Sequence, residues 1–316
     1  MINRELIRIK VVQLVYAYYQ NSDRTLHAVE KELSDSLSKA YELYAYLLQL
    51  IVAITAEERH RLEVNTARAE REGTALPSSR FVNNRFALQL EENSQLSEMI
   101  HSRGMTWRDD VESIRILCDR IEQTPDYQAY MALPETDYAI DKELWRRLYK
   151  LVLQNNEDLD SLLEEKSIYW NDDKTTVDTF VIKTIKRFDP ANGSQQELLP
   201  EFKDEEDKQF ALKLFRTAIA EAETYQQYMA DASKNWDLNR LAYMDLIIMQ
   251  IALAEMLNFP NIPISVTINE YVDLAKIYST PKSGLYINGM LDSIARHLIA
   301  EHVLLKPMAE KTDLTN

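Results

Sequence analysis

The residues of this sequence that are best suited to chemistry lie on one face of its first predicted helix. At helical spacing, Arg4, Arg8 and Tyr16 form a stripe that also contains Val12 and Tyr19. Guanidinium groups pair with phosphates, and aromatic rings stack on unpaired bases. Such a stripe could bind single-stranded nucleic acid, and the alternative for Tyr16 is a half-buried helix aromatic.

Other candidate groups are less well arranged for chemistry. His297 and Glu301 share a helix face, but His302 turns away from it, so the three do not form a zinc motif. The acidic run at 157–165 lacks the glycine and the alternating ligands of a calcium loop. No serine or cysteine lies in a recognisable nucleophile elbow. We therefore predict that the protein is not an enzyme and has no catalytic residue, metal site or cofactor.

The composition narrows the class of protein. The chain has 316 residues but only 5 glycines, which argues against Rossmann and P-loop folds. Its 36 Lys and Arg residues against 51 Asp and Glu residues give a net charge of -15, so any nucleic-acid site must be local. The single cysteine, Cys118, excludes an internal disulfide and indicates a reducing cytoplasm. Neither an export signal nor a membrane-spanning segment is predicted.

The elements that position these residues are predicted to be helices throughout. Apolar residues recur at three- and four-residue spacings, which is typical of an all-α fold. The first helix is predicted at Arg4–Gln20, and its apolar stripe is expected to pack against the C-terminal helices. Two further helices are predicted between His27 and Glu70, and a loop is predicted around Pro125 and Pro134.

The C-terminal region is also predicted to be helical. The expected helices lie at 206–232, 239–257, 267–278 and 284–304. Thr267 and Glu270 have the spacing of a capping box, which predicts that the third of these helices begins at that threonine. Ser279 to Pro281 is predicted to end it.

The last hundred residues contain a distinctive series of motifs. The first are Trp236-Asp-Leu-Asn-Arg240, Ile262-Pro263 and Thr267-Ile-Asn-Glu270-Tyr-Val-Asp-Leu-Ala-Lys276. The next is Lys282-Ser283-Gly-Leu-Tyr286-Ile-Asn288-Gly289-Met-Leu-Asp292. Together they resemble the NusB family, whose pattern is an I-N-E helix with L-A-K, then K-S, an aromatic residue and N-G-x-L-D. The first helix, with Val12-Gln13-Leu-Val15-Tyr16, is similar to that of the family.

The resemblance covers residues 1–30 and 205–305, and it implies a NusB-like helical bundle built from both ends of the chain. Residues 31–204 are then a large helical insertion that ordinary family members lack. The segment 189–207 has the proline, glycine and acidic composition of an exposed linker. Residues 306–316 are expected to form a flexible tail.

The same resemblance implies a function. Members of the NusB family are transcription antitermination factors that bind boxA RNA together with NusE, the small-subunit ribosomal protein, in the transcription elongation complex on ribosomal RNA operons. The RNA-binding residues implied here are Arg4, Arg8, Tyr16, Asp245, Lys282, Ser283 and Tyr286. Asp245 could accept from a base amino group or form a helix-packing hydrogen bond, and Tyr286 could be a half-buried aromatic.

A second set of motif residues is expected to hold the bundle together. It comprises Trp236, Glu255, Asn269, Glu270, Lys276, Asn288, Gly289 and Asp292. Gly289 is expected to allow the close approach of a neighbouring helix, and the Asn288 amide is expected to be buried and hydrogen-bonded. Asn269, Glu270 and Lys276 are expected to cap and connect helices.

Two alternative functions come from other classes. The chain could be a helical protein-interaction scaffold that has lost RNA binding, which its acidic composition favours. It could also be the accessory domain of an RNA methyltransferase, but that requires a glycine-rich cofactor-binding domain, and this chain has no such domain. RNA binding separates the antitermination factor from the scaffold.

Overall fold

The computed structural model describes residues 1–21, 25–232 and 242–306, and the fold is all-α, as predicted. Within these ranges the β-type pairing consists of an isolated bridge between Ile2 and Phe202. The α-helices, in chain order, are α1 (Arg4–Gln20), α2 (Leu26–Glu72), α3 (Arg85–Glu91), α4 (Ser94–Arg103), α5 (Val111–Glu122), α6 (Pro125–Ala132), α7 (Tyr138–Leu148), α8 (Glu157–Lys166), α9 (Lys174–Arg187), α10 (Glu205–Ala220), α11 (Ala222–Ala232), α12 (Tyr243–Asn258), α13 (Ile264–Tyr278) and α14 (Ser283–Ala300). Short 3-10 helices lie at Arg108–Asp110 and Pro190–Gln195, and a π-helical turn lies at Tyr149–Leu153.

The chain divides into two compact units. The terminal unit consists of Ile2–Leu37 and Phe202–Asn316, and the central unit consists of Met1 and Ser38–Glu201. Helix α2 supplies its first residues to the terminal unit and the rest to the central unit. Trp236 and the tail from residue 307 lie outside the described residues. The units are described separately below.

Helix α12 is the centre of the terminal unit. It packs against α1, α10, α11, α13 and α14, and most of its residues are buried on every side. Burial all round explains why this segment is apolar throughout rather than amphipathic. Helix α1 packs against α10 and α12, which confirms the predicted packing of the first helix on the C-terminal helices.

The start of α1 is fixed by a side-chain cap. The Asn3 side chain accepts a hydrogen bond of 2.9 Å from the Leu6 backbone N–H. This cap satisfies a donor that the first helical turn would otherwise leave unpaired. Cap and apolar stripe together place α1 at the residues predicted from the sequence.

The prediction of two helices between His27 and Glu70 is wrong, because α2 is continuous over 47 residues. No glycine or proline occurs within α2, so nothing in its backbone chemistry requires a break. It ends at Glu72 and is followed by Gly73, whose φ is +65°, and the Thr74 N–H donates to the carbonyl of Ala69 at 3.0 Å. That bond and the left-handed glycine are typical of a Schellman motif.

Helix α2 is long and apolar enough, by length and composition, to cross a membrane. However, 67% of its most apolar 18-residue window is buried inside the protein. The core helix of a soluble protein passes the same test, so α2 alone is weak support for a membrane span.

Two other expectations for the central unit differ from the structure. Pro125 begins helix α6 instead of a loop, because Thr124 caps the helix and proline fits its first turn. The segment 189–207 is not an exposed linker throughout, since Leu198 and Leu199 are buried. The boundary between the two units nevertheless falls within that segment.

The first part of that segment is held by polar side chains from α3 and its C-terminal flank. Gln89 Nε2 donates to the carbonyls of Asp189 and Gly193, each at 2.9 Å, and Asn93 Nδ2 donates to that of Gln196 at 2.7 Å. These bonds satisfy backbone carbonyls that would be hydrogen-bonded to water if the segment were the exposed linker predicted from its composition.

Candidate nucleic-acid interface

Arg4 lies in the first turn of α1 and is neutralised by acids at the start of α10. Its Nε donates to Asp207 Oδ1 at 3.0 Å, and a terminal nitrogen donates to Glu206 Oε1 at 2.7 Å. The guanidinium also lies 5.0 Å from the centre of the Phe210 ring. Arg4 is partly exposed, but its charge already has two partners, which weakens its attraction for phosphate.

Arg8 is a buried structural residue, so its predicted role as an RNA ligand is not supported by its position. Only 4% of its surface is exposed, and its Nε and one terminal nitrogen bind the two Glu255 oxygens at 2.8 and 2.9 Å. The other terminal nitrogen donates to Glu270 at 3.0 Å. Burial alone would lower the pKa of Arg8, but the hydrogen bonds and charge of Glu255 raise it above its ordinary value.

Glu255 also accepts hydrogen bonds from two residues of α13. Thr267 Oγ1 donates to it at 2.8 Å, and the Tyr271 hydroxyl donates at 3.1 Å. Burial, followed by the charge of Glu255, raises the pKa of Tyr271 well above its ordinary value. This network connects α1, α12 and α13 in the core.

The same network explains why the predicted capping box is wrong. Helix α13 begins at Ile264, so Thr267 lies inside the helix and is fully buried. Its hydroxyl is used by Glu255, while Pro263 occupies the N-cap position. The hydrogen-bonding requirement of a buried carboxylate thus overrides the local capping signal.

Tyr16 lies about two turns beyond Arg8 on α1 and is 38% exposed. Its ring meets that of Tyr243, the first residue of α12, with 6.1 Å between ring centres and 59° between ring planes. Tyr243 is itself 46% exposed. Two neighbouring aromatic rings therefore reach the surface of the terminal unit.

The first turns of α12 and α14 are joined beside these rings. Ser283 Oγ donates to Asp245 Oδ2 at 3.0 Å, and both side chains are buried. The other Asp245 oxygen has no hydrogen-bond partner within the described residues. Tyr286 follows Lys282 by one turn of α14, and burial, and then the charge of Asp245, raises the pKa of its phenol. Ser283 is thus a helix-connecting residue.

Lys282 contributes a cation to this region. It is exposed at the N-cap position of α14, directly before Ser283, and forms no ion pair with the carboxylates of residues 1–21, 25–232 and 242–306. We call the surface formed by Tyr16, Tyr243, Lys282 and Tyr286 the tyrosine patch.

The structure therefore divides the predicted RNA-binding residues into two groups. Tyr16, Asp245, Lys282, Ser283 and Tyr286 lie in or beneath the tyrosine patch. Arg4 and Arg8 lie toward the other end of α1, where the twelve residues from Arg4 to Tyr16 span about 18 Å of helix. The predicted stripe is continuous along α1, but its two ends have different surroundings.

The expectations for Asn288 and Gly289 are wrong, because both residues are exposed on α14. A Cβ atom at Gly289 would meet nothing within 4 Å among the described residues. The close approach occurs at Gly284 instead, where a Cβ would lie 3.2 Å from Cγ of Lys276. Lys276 thus connects α13 to α14 through its aliphatic stem.

The remaining motif residues lie on helix surfaces. Asn269 is exposed in the interior of α13, away from both ends, and so does not cap it. Asp292 pairs with Arg296 one turn later on α14 at 2.9 Å. That pair is exposed and is typical of a solvated helix face.

Sequence reasoning missed Tyr243, Thr267, Tyr271 and Gly284. Thr267 and Tyr271 are one helical turn apart, so their shared face could have been recognised, but the buried carboxylate that they bind is distant in sequence. Tyr243 gives no local signal. Its partner, Tyr16, is on a helix more than two hundred residues earlier.

Ser283→Ala tests the connection between α12 and α14. We expect the free energy of unfolding of the terminal unit to fall by about 1–3 kcal/mol, because the buried Asp245 carboxylate loses its donor. Amide hydrogen exchange in α12 and α14 measures the loss. Ser265→Ala, at an exposed position of α13, is the matched control. Equal exchange in the two variants would contradict the role assigned to Ser283.

Comparisons with known proteins agree with these motifs. The family model described as NusB family matches residues 180–296. A protein named transcription antitermination protein NusB from Chloroherpeton thalassium is 37% identical over 107 residues, which are 34% of this chain and 51% of that relative. The proteins of the same name from Salinibacter ruber and Geotalea daltonii are 31% and 33% identical, over 36% and 42% of this chain.

The extent of these matches differs between relatives. The aligned residues span about half the length of the Chloroherpeton protein, but 75% of the Salinibacter protein and 89% of the Geotalea protein. No solved structure gives a significant match. The Salinibacter and Geotalea proteins are each more than 30% identical to this chain, and the match covers more than two thirds of the length of each. This chain therefore belongs to the NusB family.

Proposed function

We propose that this protein is a transcription antitermination factor that binds boxA-type RNA together with NusE in the transcription elongation complex on ribosomal RNA operons. It acts by binding and not by catalysis. The observation that carries the proposal is the tyrosine patch, in which exposed tyrosine rings and the exposed side chain of Lys282 come together from three helices of the terminal unit. Family membership supports it, since the relatives named above are transcription antitermination proteins.

The chemistry of the patch suits single-stranded RNA. Exposed tyrosine rings can stack on unpaired bases of any sequence, and Lys282 can pair with a phosphate. The first turns of α12 and α14 lack side-chain caps, so their backbone N–H groups add positive potential near the same surface. The carboxylate of Asp245 lies beneath, where it holds α14 through Ser283.

In this proposal, residues 1–30 and 205–305 form the family core and residues 31–204 form the insertion. The central unit, Ser38–Glu201, has nearly the same bounds as that insertion, which supports the assignment. A protein-interaction scaffold is the second candidate, and the neutralisation of Arg4 and Arg8 by carboxylates favours it.

Two substitutions in the patch test RNA binding. With NusE present, Tyr16→Ala should weaken binding of boxA-type RNA by about 5- to 150-fold, the equivalent of about 1–3 kcal/mol for one stacked base. Lys282→Ala should weaken binding and reduce the slope of log K against log salt by about 0.7, as expected for one phosphate contact with a single strand. Titrations at several salt concentrations measure both effects.

Lys208→Ala is the matched control, since it removes the same charge from an exposed position of α10 outside the patch. It should leave the affinity and the salt slope close to those of the wild type. If the patch variants behave like this control, the patch does not bind RNA, and the scaffold becomes the better explanation.

A further inference from the structure

The rings of Tyr16 and Tyr243 are arranged so that a single base cannot stack on both of them. The ring centres are 6.1 Å apart and the ring planes are inclined by 59°. Stacked bases follow one another at about 3.4 Å in nearly parallel planes. One continuous stack cannot cover both rings, because a base lying flat on Tyr16 is steeply inclined to the ring of Tyr243.

From this geometry we propose that Tyr243 is a second RNA-stacking residue and that the two tyrosines receive two successive bases of a single strand, turned away from each other. The proposal deepens the RNA-binding function proposed above and depends on it. Each ring supplies its own exposed face, 38% exposed for Tyr16 and 46% for Tyr243. The step between the two bases must therefore be unstacked, with the backbone bent between them.

Such a site discriminates against double-stranded RNA. In a duplex, successive bases stay stacked and paired, and opening one step costs a few kcal/mol. A flexible single strand meets a much smaller cost. The angle between the rings thus contributes selectivity for single strands without any contact to base edges, which also makes the pair tolerant of sequence.

The structure holds both rings in place before RNA arrives. Gln250 Nε2 donates to the Tyr19 hydroxyl at 2.7 Å and to the carbonyl of Ala218 at 2.7 Å, which fixes the end of α1 against α12 and α10. Arg8 fixes the beginning of α1 through Glu255. Because α1 is held at both ends against α12, the angle between Tyr16 and Tyr243 is set by the core of the terminal unit.

The first test separates the flat ring of Tyr243 from its bulk and its hydroxyl. Tyr243→Leu keeps an apolar side chain against Tyr16 but removes the stacking face, and it should weaken binding of single-stranded boxA-type RNA by about 5- to 150-fold with an unchanged salt slope. Tyr243→Phe keeps the ring and should bind within about twofold of the wild type. Tyr228→Leu, at a half-buried tyrosine of α11, is the control.

The second test counts the stacked bases. Abasic residues placed singly along the RNA should weaken binding to the wild-type protein at two adjacent positions. With Tyr243→Leu, one of these positions should lose its effect while the other keeps it, and Tyr16→Ala should give the reverse. A single sensitive position in the wild type, or no change in the pattern with Tyr243→Leu, would overturn the proposal.

The outcomes also separate this inference from the function on which it depends. If Tyr16→Ala weakens RNA binding and Tyr243→Leu does not, the second stacking residue is refuted and RNA binding stands. If the wild-type protein with NusE does not bind boxA-type RNA, both proposals fail together.

Discussion

Replacing Arg8 with alanine is expected to lower the free energy of unfolding of the terminal unit by about 3–5 kcal/mol, because removing one partner leaves the other charge buried and unpaired. The guanidinium makes two hydrogen bonds to Glu255 in the core and a third to Glu270. Thr267 and Tyr271 still donate to the carboxylate in the variant, but they carry no positive charge. Amide hydrogen exchange in α1 and α12 measures the lost stability of the terminal unit alone. A global melting curve would combine the unfolding of both units.

Arg296→Ala is the matched control for Arg8→Ala. Arg296 is 61% exposed and pairs with Asp292 one turn away, so its removal should cost only about 0.3–0.5 kcal/mol. Replacing Arg8 with methionine and Glu255 with leucine together should recover part of the stability, since neither charge of this pair then remains buried. If the Arg8→Ala variant showed the hydrogen exchange of the wild type but bound RNA more weakly, Arg8 would instead belong to the RNA interface.

The second large effect is expected from NusE. Saturating NusE should raise the affinity for boxA-type RNA by about 5- to 150-fold, the usual range of coupling between two binding sites. The isolated chain should bind weakly, because its net charge is -15 and both arginines of α1 are neutralised by carboxylates. Among the residues that the structure describes, Lys282 is the exposed cation of the patch, and a single phosphate contact releases few counterions. A basic ribosomal protein bound nearby would add positive charge and a second contact with the RNA.

Titrations in both directions measure this coupling. RNA is titrated with and without saturating NusE, and NusE is titrated with and without RNA. Linkage requires the same factor in both experiments. Equal RNA affinity with and without NusE would show that the two do not cooperate, and tight binding by the isolated chain would reveal a cationic surface other than the tyrosine patch.

The sequence predicted elements well where local signals decide them. Helix α1 lies at its predicted residues because Asn3 caps it and one face is apolar. Helix α13 begins earlier than predicted because Thr267 is required by Glu255, a partner on another helix. Local capping rules contain no information about such a partner.

The candidate site was predicted only in part, because its residues also depend on partners that are distant in sequence. Helical spacing placed Arg8 and Tyr16 on one face of α1. It could not show that Arg8 is buried and bound to Glu255, whereas Tyr16 is exposed. Tyr243 was not identified because its importance depends on a ring contact across more than two hundred residues. Charge neutralisation and ring geometry are properties of the packed core.

The bonds from Arg8 to Glu255 join residues that are 247 positions apart, and this separation has a consequence for synthesis. At a ribosomal rate of about 5–20 residues per second, about 12–50 s pass between the two residues. The central unit, which is almost contiguous in the chain, emerges completely during that interval. Its folding depends on partners within Ser38–Glu201, whereas α1 must wait for α12 with its apolar face uncovered. The first helix to leave the ribosome is therefore among the last to be packed.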